Sequence, residues 1–136
     1  MYRPVYLERY SALYFTSDPA ASNRVSAGGS NVFVCGKLQD PVRMLALLGS
    51  EPAFAPAAVS GYRRSAERID GKEIPFMVRD DEDPRSVLTG VVWLHLAKAG
   101  LDRIESLELD GGYRRRVVIE VRVGELDLAA YTYVKK

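Results

Sequence analysis

Few residues of this chain are of types that do covalent or metal chemistry. The 136 residues include one cysteine, Cys35, and one histidine, His95. One of each is too few for a zinc site built from cysteine and histidine within the chain, and a lone cysteine excludes an intrachain disulfide. Cys35 follows an apolar run, where a cysteine is typically a small buried side chain. His95 alternates with a tryptophan on a predicted strand. We therefore expect a structural role for both rather than a nucleophilic pair.

Two carboxylates, Glu105 and Glu108, lie at the end of a predicted helix over residues 97–108. A carboxylate in such a place, in an arginine-rich chain, ordinarily forms an ion pair in solvent. The same group becomes a general acid or base when partial burial raises its pKa toward neutrality. The helix thus offers proton-transfer chemistry, but the residue types alone do not distinguish the two outcomes.

The elements around this helix follow from the apolar pattern. We predict short strands over 32–34, 57–63, 73–78, 86–96, 113–123 and 128–134. A first helix begins at Asp40-Pro41 and ends at Gly49, since aspartate caps helices, proline fits their first position and glycine ends them. Asp70-Gly71 is a strong hairpin signal. Because strands do not alternate with helices, the expected fold class is α+β, with a mixed, curled sheet or small barrel of five to six strands and two helices.

The N-terminal residues differ from the rest. Tyr2, Tyr6, Tyr10 and Tyr14 recur every four residues, and the stretch 17–30 is small and polar. Such a stretch buries too little surface to order itself. We predict an aromatic arm and flexible linker over 1–31 and one folded domain over 32–136. The arm is a candidate surface for a homodimer.

Charge and hydropathy limit the partners. The chain has 19 basic and 18 acidic residues and a net charge of +1, which argues against a strong grip on nucleic acid or an anionic membrane. No apolar run is long enough to span a bilayer, and the N-terminus lacks the continuous apolar segment of a secretory signal. We expect a cytoplasmic protein whose partner is a small-molecule substrate, with no nucleic acid or membrane.

Several short motifs occur in one order over residues 31–136. The first is Val-Phe-Val-Cys-Gly-Lys-Leu at 32–38, and Leu-x-x-Ile-Glu-x-x-Glu stands at 101–108. The others are Pro-Ala at 52–53, Val-Ser-Gly-Tyr-Arg-Arg at 59–64, Ile-Pro at 74–75, Gly-Val-Val-Trp at 90–93, Tyr-Arg-Arg at 113–115 and Ala-Tyr-Thr-Tyr-Val at 130–134. Together they resemble the gamma-glutamylcyclotransferase-like superfamily, which includes the plant AIG2-like proteins.

The resemblance implies a reaction that needs no metal or organic cofactor. The α-amine of a γ-glutamyl amine attacks its own γ-carbonyl, which releases 5-oxoproline and a free amine. Glu108 falls on the family's catalytic acid/base. Glu105 is the alternate, because Leu-Asp-x-x-Glu at 101–105 also fits the motif. We prefer Glu108, which leaves Leu101 and Ile104 on the motif's apolar positions.

The same resemblance implies the substrate-binding residues. Backbone N–H groups of the signature loop would hold a substrate carboxylate or a developing oxyanion. The implied binding residues are Cys35, Gly36, Lys37, Leu38, Tyr113 and Tyr131, with Tyr133 as an alternative lining aromatic. Cys35 replaces the family tyrosine and Lys37 the family serine or threonine, while Leu109 and Glu105 replace a glycine and an aspartate. Related amide chemistry, or a non-catalytic binding or interaction protein on the same fold, is therefore the alternative.

Overall fold

Seven strands and two α-helices build residues 29–136, the part of the chain that the computed structural model describes. The strands are β1 (Ser30–Val34), β2 (Phe54–Ser60), β3 (Tyr62–Ile69), β4 (Lys72–Arg79), β5 (Val87–Leu96), β6 (Arg114–Val123) and β7 (Leu126–Lys135). The helices are α1 (Pro41–Leu48) and α2 (Lys98–Glu108), and short 3-10 turns span Lys37–Gln39 and Asp110–Gly112.

Five strands close into a barrel in the order β1-β5-β2-β6-β7. β5 pairs antiparallel with both β1 and β2, β6 and β7 form an antiparallel hairpin, and β1 meets β7 in parallel at Val32 and Tyr131. On β6 the alternation predicted from the sequence is present, since Ile119, Val121 and Val123 are buried. The α+β class with a small barrel and two helices is therefore confirmed.

A second, two-stranded sheet accounts for the larger number of strands. The sequence predicts one strand over 57–63, but the chain bends at Gly61, whose φ is 81°. Because a left-handed residue interrupts strand geometry, β2 ends in the barrel and β3 begins a separate hairpin with β4. Asp70 and Gly71 form its turn at φ values of 51° and 77°, as the Asp-Gly signal predicts. Pro75 lies in β4, which among the described strands pairs with β3 alone.

Both helices pack on one side of the barrel. The Asp40 carboxylate accepts a hydrogen bond from the Val42 N–H at 2.9 Å, and Gly49 ends α1 at a φ of 77°; both caps are as predicted. Met44 of α1 and Ile104 of α2 are fully buried in a core cluster that also contains Phe54, Trp93 and Leu101. A separate cluster fills the barrel interior. No helix in residues 29–136 has the length and hydrophobicity needed to cross a bilayer.

β5 approaches β1 closely at one glycine. A Cβ added to Gly90 would overlap the carbonyl oxygen of Val34 and lie 2.8 Å from Cζ of Phe33. The absence of a side chain at position 90 thus lets the Phe33 ring cover the β5 backbone.

The predicted aromatic arm lies almost wholly outside the described residues. The structure begins at Gly29, and β1 begins at Ser30, two residues before the expected start of the domain at 32.

Candidate active site

A cleft of about 680 Å³ opens beside the end of β1. Its walls are the turn after β1, helix α1, the end of α2, the β3–β4 hairpin and the strands β6 and β7. It is lined by Phe33, Val34, Cys35, Gly36, Lys37, Leu38, Arg43, Ala46, Leu47, Arg64, Pro75, Phe76, Met77, Leu107, Glu108, Arg114, Thr132 and Tyr133. Its volume is in the range of small-molecule sites.

The turn at residues 35–38 forms one wall of the cleft. Two carbonyl oxygens of the turn accept hydrogen bonds from other groups of the protein. Trp93 Nε1 donates to the Leu38 oxygen at 2.9 Å, and the backbone N–H of Gln39 donates to the Gly36 oxygen at 3.1 Å. A Cβ added to Gly36 would meet no atom within 4 Å. The backbone at Gly36 is therefore open to the cleft, so a ligand can approach its amide groups directly.

Glu108, the last residue of α2, brings a carboxyl group to the same cleft. Its side chain is 23% exposed, and its Oε2 lies 3.9 Å from Arg114 Nε. Burial raises the pKa of Glu108 above its usual range, and the Arg114 charge acts in the opposite direction without cancelling the effect. A carboxyl with a raised pKa and access to a ligand can both accept and return a proton.

Arg114 connects this carboxyl to the hairpin. Its guanidinium donates to the carbonyl oxygens of Glu108, at 3.4 Å, and of Pro75. It also lies over the Phe76 ring, 5.1 Å from the centroid. The end of α2 and strand β4 are thus held by one side chain at the first residue of β6.

Glu105 has a different environment. Its Oε1 accepts a hydrogen bond from Arg116 Nη1 at 2.7 Å, and it is not among the residues that line the cleft. The Arg116 guanidinium also lies 4.6 Å from the centroid of the Tyr131 ring. Both Glu105 and Tyr131 therefore belong to an ion-pair and stacking arrangement beside the cleft.

Tyr133 brings an aromatic side chain into the cleft from β7. The residue is 5% exposed, and its buried hydroxyl makes no hydrogen bond of good geometry within residues 29–136. Burial, with the neighbouring Glu105 and Glu108 carboxylates, strongly raises the pKa of Tyr133. Its hydroxyl therefore stays protonated, with the Glu105 carboxylate beside it.

Cys35 and His95 are not brought together. Cys35 follows the last residue of β1, whereas His95 adjoins Leu96, which pairs with Ser30 at the opposite end of that strand. Burial raises the pKa of the Cys35 thiol, although Arg64 beside it acts in the opposite direction. Burial lowers the pKa of the His95 imidazole. The backbone N–H of His95 donates to Asn31 Oδ1 at 3.3 Å. A protonated thiol is a weak nucleophile.

The structure thus gathers six of the predicted site residues around one cleft. Those that line it are Cys35, Gly36, Lys37, Leu38, Glu108 and Tyr133, the alternative lining aromatic; those that do not are Glu105, Tyr113 and Tyr131. Sequence reasoning missed Arg114, Arg64 and the hairpin residues Phe76 and Met77. The Tyr-Arg-Arg motif was a signal for Arg114, whereas no local pattern indicates that the hairpin folds over the cleft. Within residues 29–136, no three His, Cys, Asp or Glu side chains cluster in the manner of a metal site.

Comparison with known proteins agrees with this architecture. The family described as "Gamma-glutamyl cyclotransferase, AIG2-like" matches residues 32–136. No curated protein sequence matches the chain closely. Among solved structures, At5g39720.1 from Arabidopsis thaliana is 25% identical with a TM-score of 0.64, over 78% of this chain and 68% of that one.

Two further structures are similar. At3g28950.1 from Arabidopsis thaliana is 26% identical with a TM-score of 0.63, over 78% of this chain and 61% of that one. A protein titled gamma-glutamyl cyclotransferase is 16% identical with a TM-score of 0.68, over 79% of this chain and 66% of that one. The chain therefore spans about two thirds of the length of these relatives. Since the family match covers most of the sequence, the chain belongs to the gamma-glutamyl cyclotransferase, AIG2-like family.

Proposed function

We propose that this protein is a cyclotransferase that cleaves a γ-glutamyl amine, or a related amide, to 5-oxoproline and a free amine. The observation that carries the proposal is the Glu108 carboxyl, largely buried and with a raised pKa, on the cleft that the Gly36 turn also lines. Family membership supports the reaction class.

The reaction is intramolecular, so the cleft must hold the substrate in a bent conformation that brings its amine to its own carbonyl. Holding an amine against a carbonyl carbon in a near-attack geometry is worth roughly 7–11 kcal/mol. The open backbone of residues 36–38 suits the substrate carboxylate, because the first N–H groups of a 3-10 turn have no partner within the turn. A substrate fixed there shares the cleft with the Glu108 carboxyl.

Glu108 then moves protons. Its carboxylate takes a proton from the α-ammonium, and the freed nitrogen attacks the γ-carbonyl carbon. The bond between that carbon and the leaving nitrogen breaks, and Glu108 returns its proton to the leaving nitrogen. The ring nitrogen loses its second proton to solvent, and the released amine takes one up. A carboxyl with a pKa nearer neutrality does this better than an ordinary one.

The test is release of 5-oxoproline from a panel of γ-glutamyl amino acids and amines. Glu108→Gln keeps the side-chain shape and removes the proton acceptor, so we expect a loss of kcat of about 100-fold or more. Glu105→Gln is the matched control, one helical turn earlier and outside the cleft, and should retain most of the activity. Activity that survives in Glu108→Gln would overturn the mechanism.

A further inference from the structure

Strand β6 has a free edge over most of its length. β2 and β6 meet through a single residue pair, Ala58 and Arg122, near the end of β6. On its other side β6 pairs with β7 at every residue from Arg114 to Val123, without a bulge. Within residues 29–136, the part of this edge that precedes Arg122 therefore has no paired strand.

The backbone along this edge presents hydrogen-bonding groups. The Lys136 N–H donates to the Tyr113 carbonyl oxygen at 3.0 Å. Because hydrogen-bonded and non-hydrogen-bonded pairs alternate along an antiparallel ladder, the odd-numbered residues of β6 bond to β7. The even-numbered residues face the other way, and they include the one that pairs with β2. The N–H and C=O groups of Arg116, Val118 and Glu120 therefore point out from the free edge.

A groove runs along the same edge. Two hollows of about 500 and 510 Å³ meet at Tyr62 and Val118, which line both of them. Val118 is 66% exposed, and an exposed apolar residue on a free strand edge is a template for a further strand. Among the described residues, none that lines this groove also lines the cleft. The groove is therefore a second surface, separate from the candidate active site.

The groove differs in charge at its two ends. Arg79 and Arg115 line the end near the start of β6, and neither has a carboxylate within 4.0 Å in residues 29–136. The other charged residues that line this end are Asp81, Lys135, which pairs with Glu67, and Lys136. At the opposite end Arg122 and Asp127 form an ion pair at 3.4 Å, which leaves the Glu120 carboxylate. An occupant that matches both ends carries an acidic group near Arg115 and a basic group near Glu120.

We propose that this edge binds an extended peptide segment of a partner protein, which adds to β6 as an antiparallel strand. The peptide backbone pairs with Arg116, Val118 and Glu120. Its side chains place an apolar group beside Val118, a basic group at Glu120 and an acidic group at Arg115. In complexes of this kind the main-chain hydrogen bonds give affinity, and the side chains give specificity.

Two hexapeptides of identical composition test the charge order. Ac-Lys-Thr-Val-Val-Thr-Glu-NH2 places its lysine at Glu120 and its glutamate at Arg115 when it lies antiparallel, and Ac-Glu-Thr-Val-Val-Thr-Lys-NH2 exchanges the two charges. We expect the first to bind with a Kd of about 1 mM or lower. The second should bind about fivefold more weakly, since an exposed ion pair contributes up to about that factor. Equal affinities, or no binding of either peptide, would overturn the proposal.

Amide hydrogen exchange locates the bound peptide on the chain. The Val118 amide should exchange freely in the protein alone, and about tenfold more slowly with the first peptide at about ten times its Kd. The amides of Val117 and Ile119, which bond to β7, are the internal reference and should be protected throughout. Binding that leaves Val118 exchange unchanged would place the peptide elsewhere and contradict the proposal.

Variants assign the binding to residues. Val118→Pro removes an outward N–H without removing a donor to β7, a placement that edge strands tolerate, and it should abolish binding. The double variant Arg79→Gln, Arg115→Gln leaves the backbone intact and should remove the preference for the first peptide over the second. The double variant Arg63→Gln, Arg68→Gln is the matched control, because these arginines of β3 line neither hollow. An unchanged preference in the Arg79 and Arg115 variant would overturn the charge match.

The protein without peptide distinguishes the other occupants. Protection of the Val118 amide that grows with protein concentration would show that a second copy of the chain covers the edge. Protection at every concentration would show that another segment of the same chain covers it. Either result would overturn a partner peptide as the occupant.

Discussion

Glu108 experiences two opposing influences, and their balance sets its proton affinity. Burial disfavours the charged carboxylate, while the guanidinium of Arg114 at 3.9 Å favours it. Burial is the stronger effect, so the pKa rises. The Arg114 charge therefore limits the rise in the pKa of Glu108 that burial causes.

The acid limb of the pH profile follows from this balance. In the proposed reaction Glu108 acts as a base, so kcat/KM should fall as the pH drops through its raised pKa, above the ordinary glutamate value of 4.5. Arg114→Gln removes the favourable charge and should move this limb to higher pH. Profiles measured on one γ-glutamyl substrate check both statements.

Arg116→Gln serves as the control for that shift. Arg116 pairs with Glu105 rather than Glu108, so its replacement should leave the acid limb in place. A limb at the same pH in wild type and Arg114→Gln would contradict the assignment of the titrating group.

Glu108 should also reduce the stability of the fold at neutral pH. A carboxyl whose pKa is higher in the folded than in the unfolded state supports the fold below its unfolded pKa, and that support is lost as the pH rises through the folded pKa. Glu108→Gln should therefore unfold at a higher temperature than wild type near pH 7, with the difference shrinking toward pH 4. Thermal unfolding across that range measures it, and a variant less stable at pH 7 would contradict the prediction.

At the scale of elements, the close approach of β5 to β1 fixes the base of the cleft. Gly90→Ala would place a methyl group against the Val34 carbonyl oxygen and the Phe33 ring. Overpacking of this kind costs roughly 1–3 kcal/mol, so the free energy of unfolding in denaturant should fall by about that amount.

Gly36→Ala is the matched glycine substitution. Within residues 29–136 its methyl group meets no atom within 4 Å beyond its two chain neighbours. The domain should therefore remain folded while KM rises, because the methyl occupies space that the proposed substrate needs. Steady-state kinetics on the purified variant give the result. An unchanged KM would place the substrate elsewhere in the cleft.

The sequence predicts the local structure well because its signals are local. The caps Asp40 and Gly49, the Asp70-Gly71 turn and the alternation along β6 each depend on a few neighbouring residues. The bend at Gly61 was misjudged as a feature within one strand, since the pattern of apolar residues continues across it.

The candidate site was predictable only in part, for a physical reason. The ordered motifs indicated the turn and the end of α2. Which strand side chains line the cleft depends instead on how the strands are paired. Arg116 pairs with Tyr133, and Arg114 with Lys135; Tyr133 lines the cleft and Tyr131 does not. The two tyrosines are two residues apart and share one face of β7, so the position along the strand decides which of them reaches the cleft, and motif spacing does not fix that position.

At the scale of the whole molecule, the barrel and the β3–β4 hairpin make unequal contributions to the site. The barrel and its helices carry the turn and Glu108, whereas the hairpin, which forms a separate two-stranded sheet within residues 29–136, supplies Arg64, Pro75, Phe76 and Met77. The lining of the cleft is thereby divided between two parts of the chain. Mutation of the appended hairpin can then alter one wall of the cleft over evolutionary time while the closed barrel and the Glu108 carboxyl stay intact.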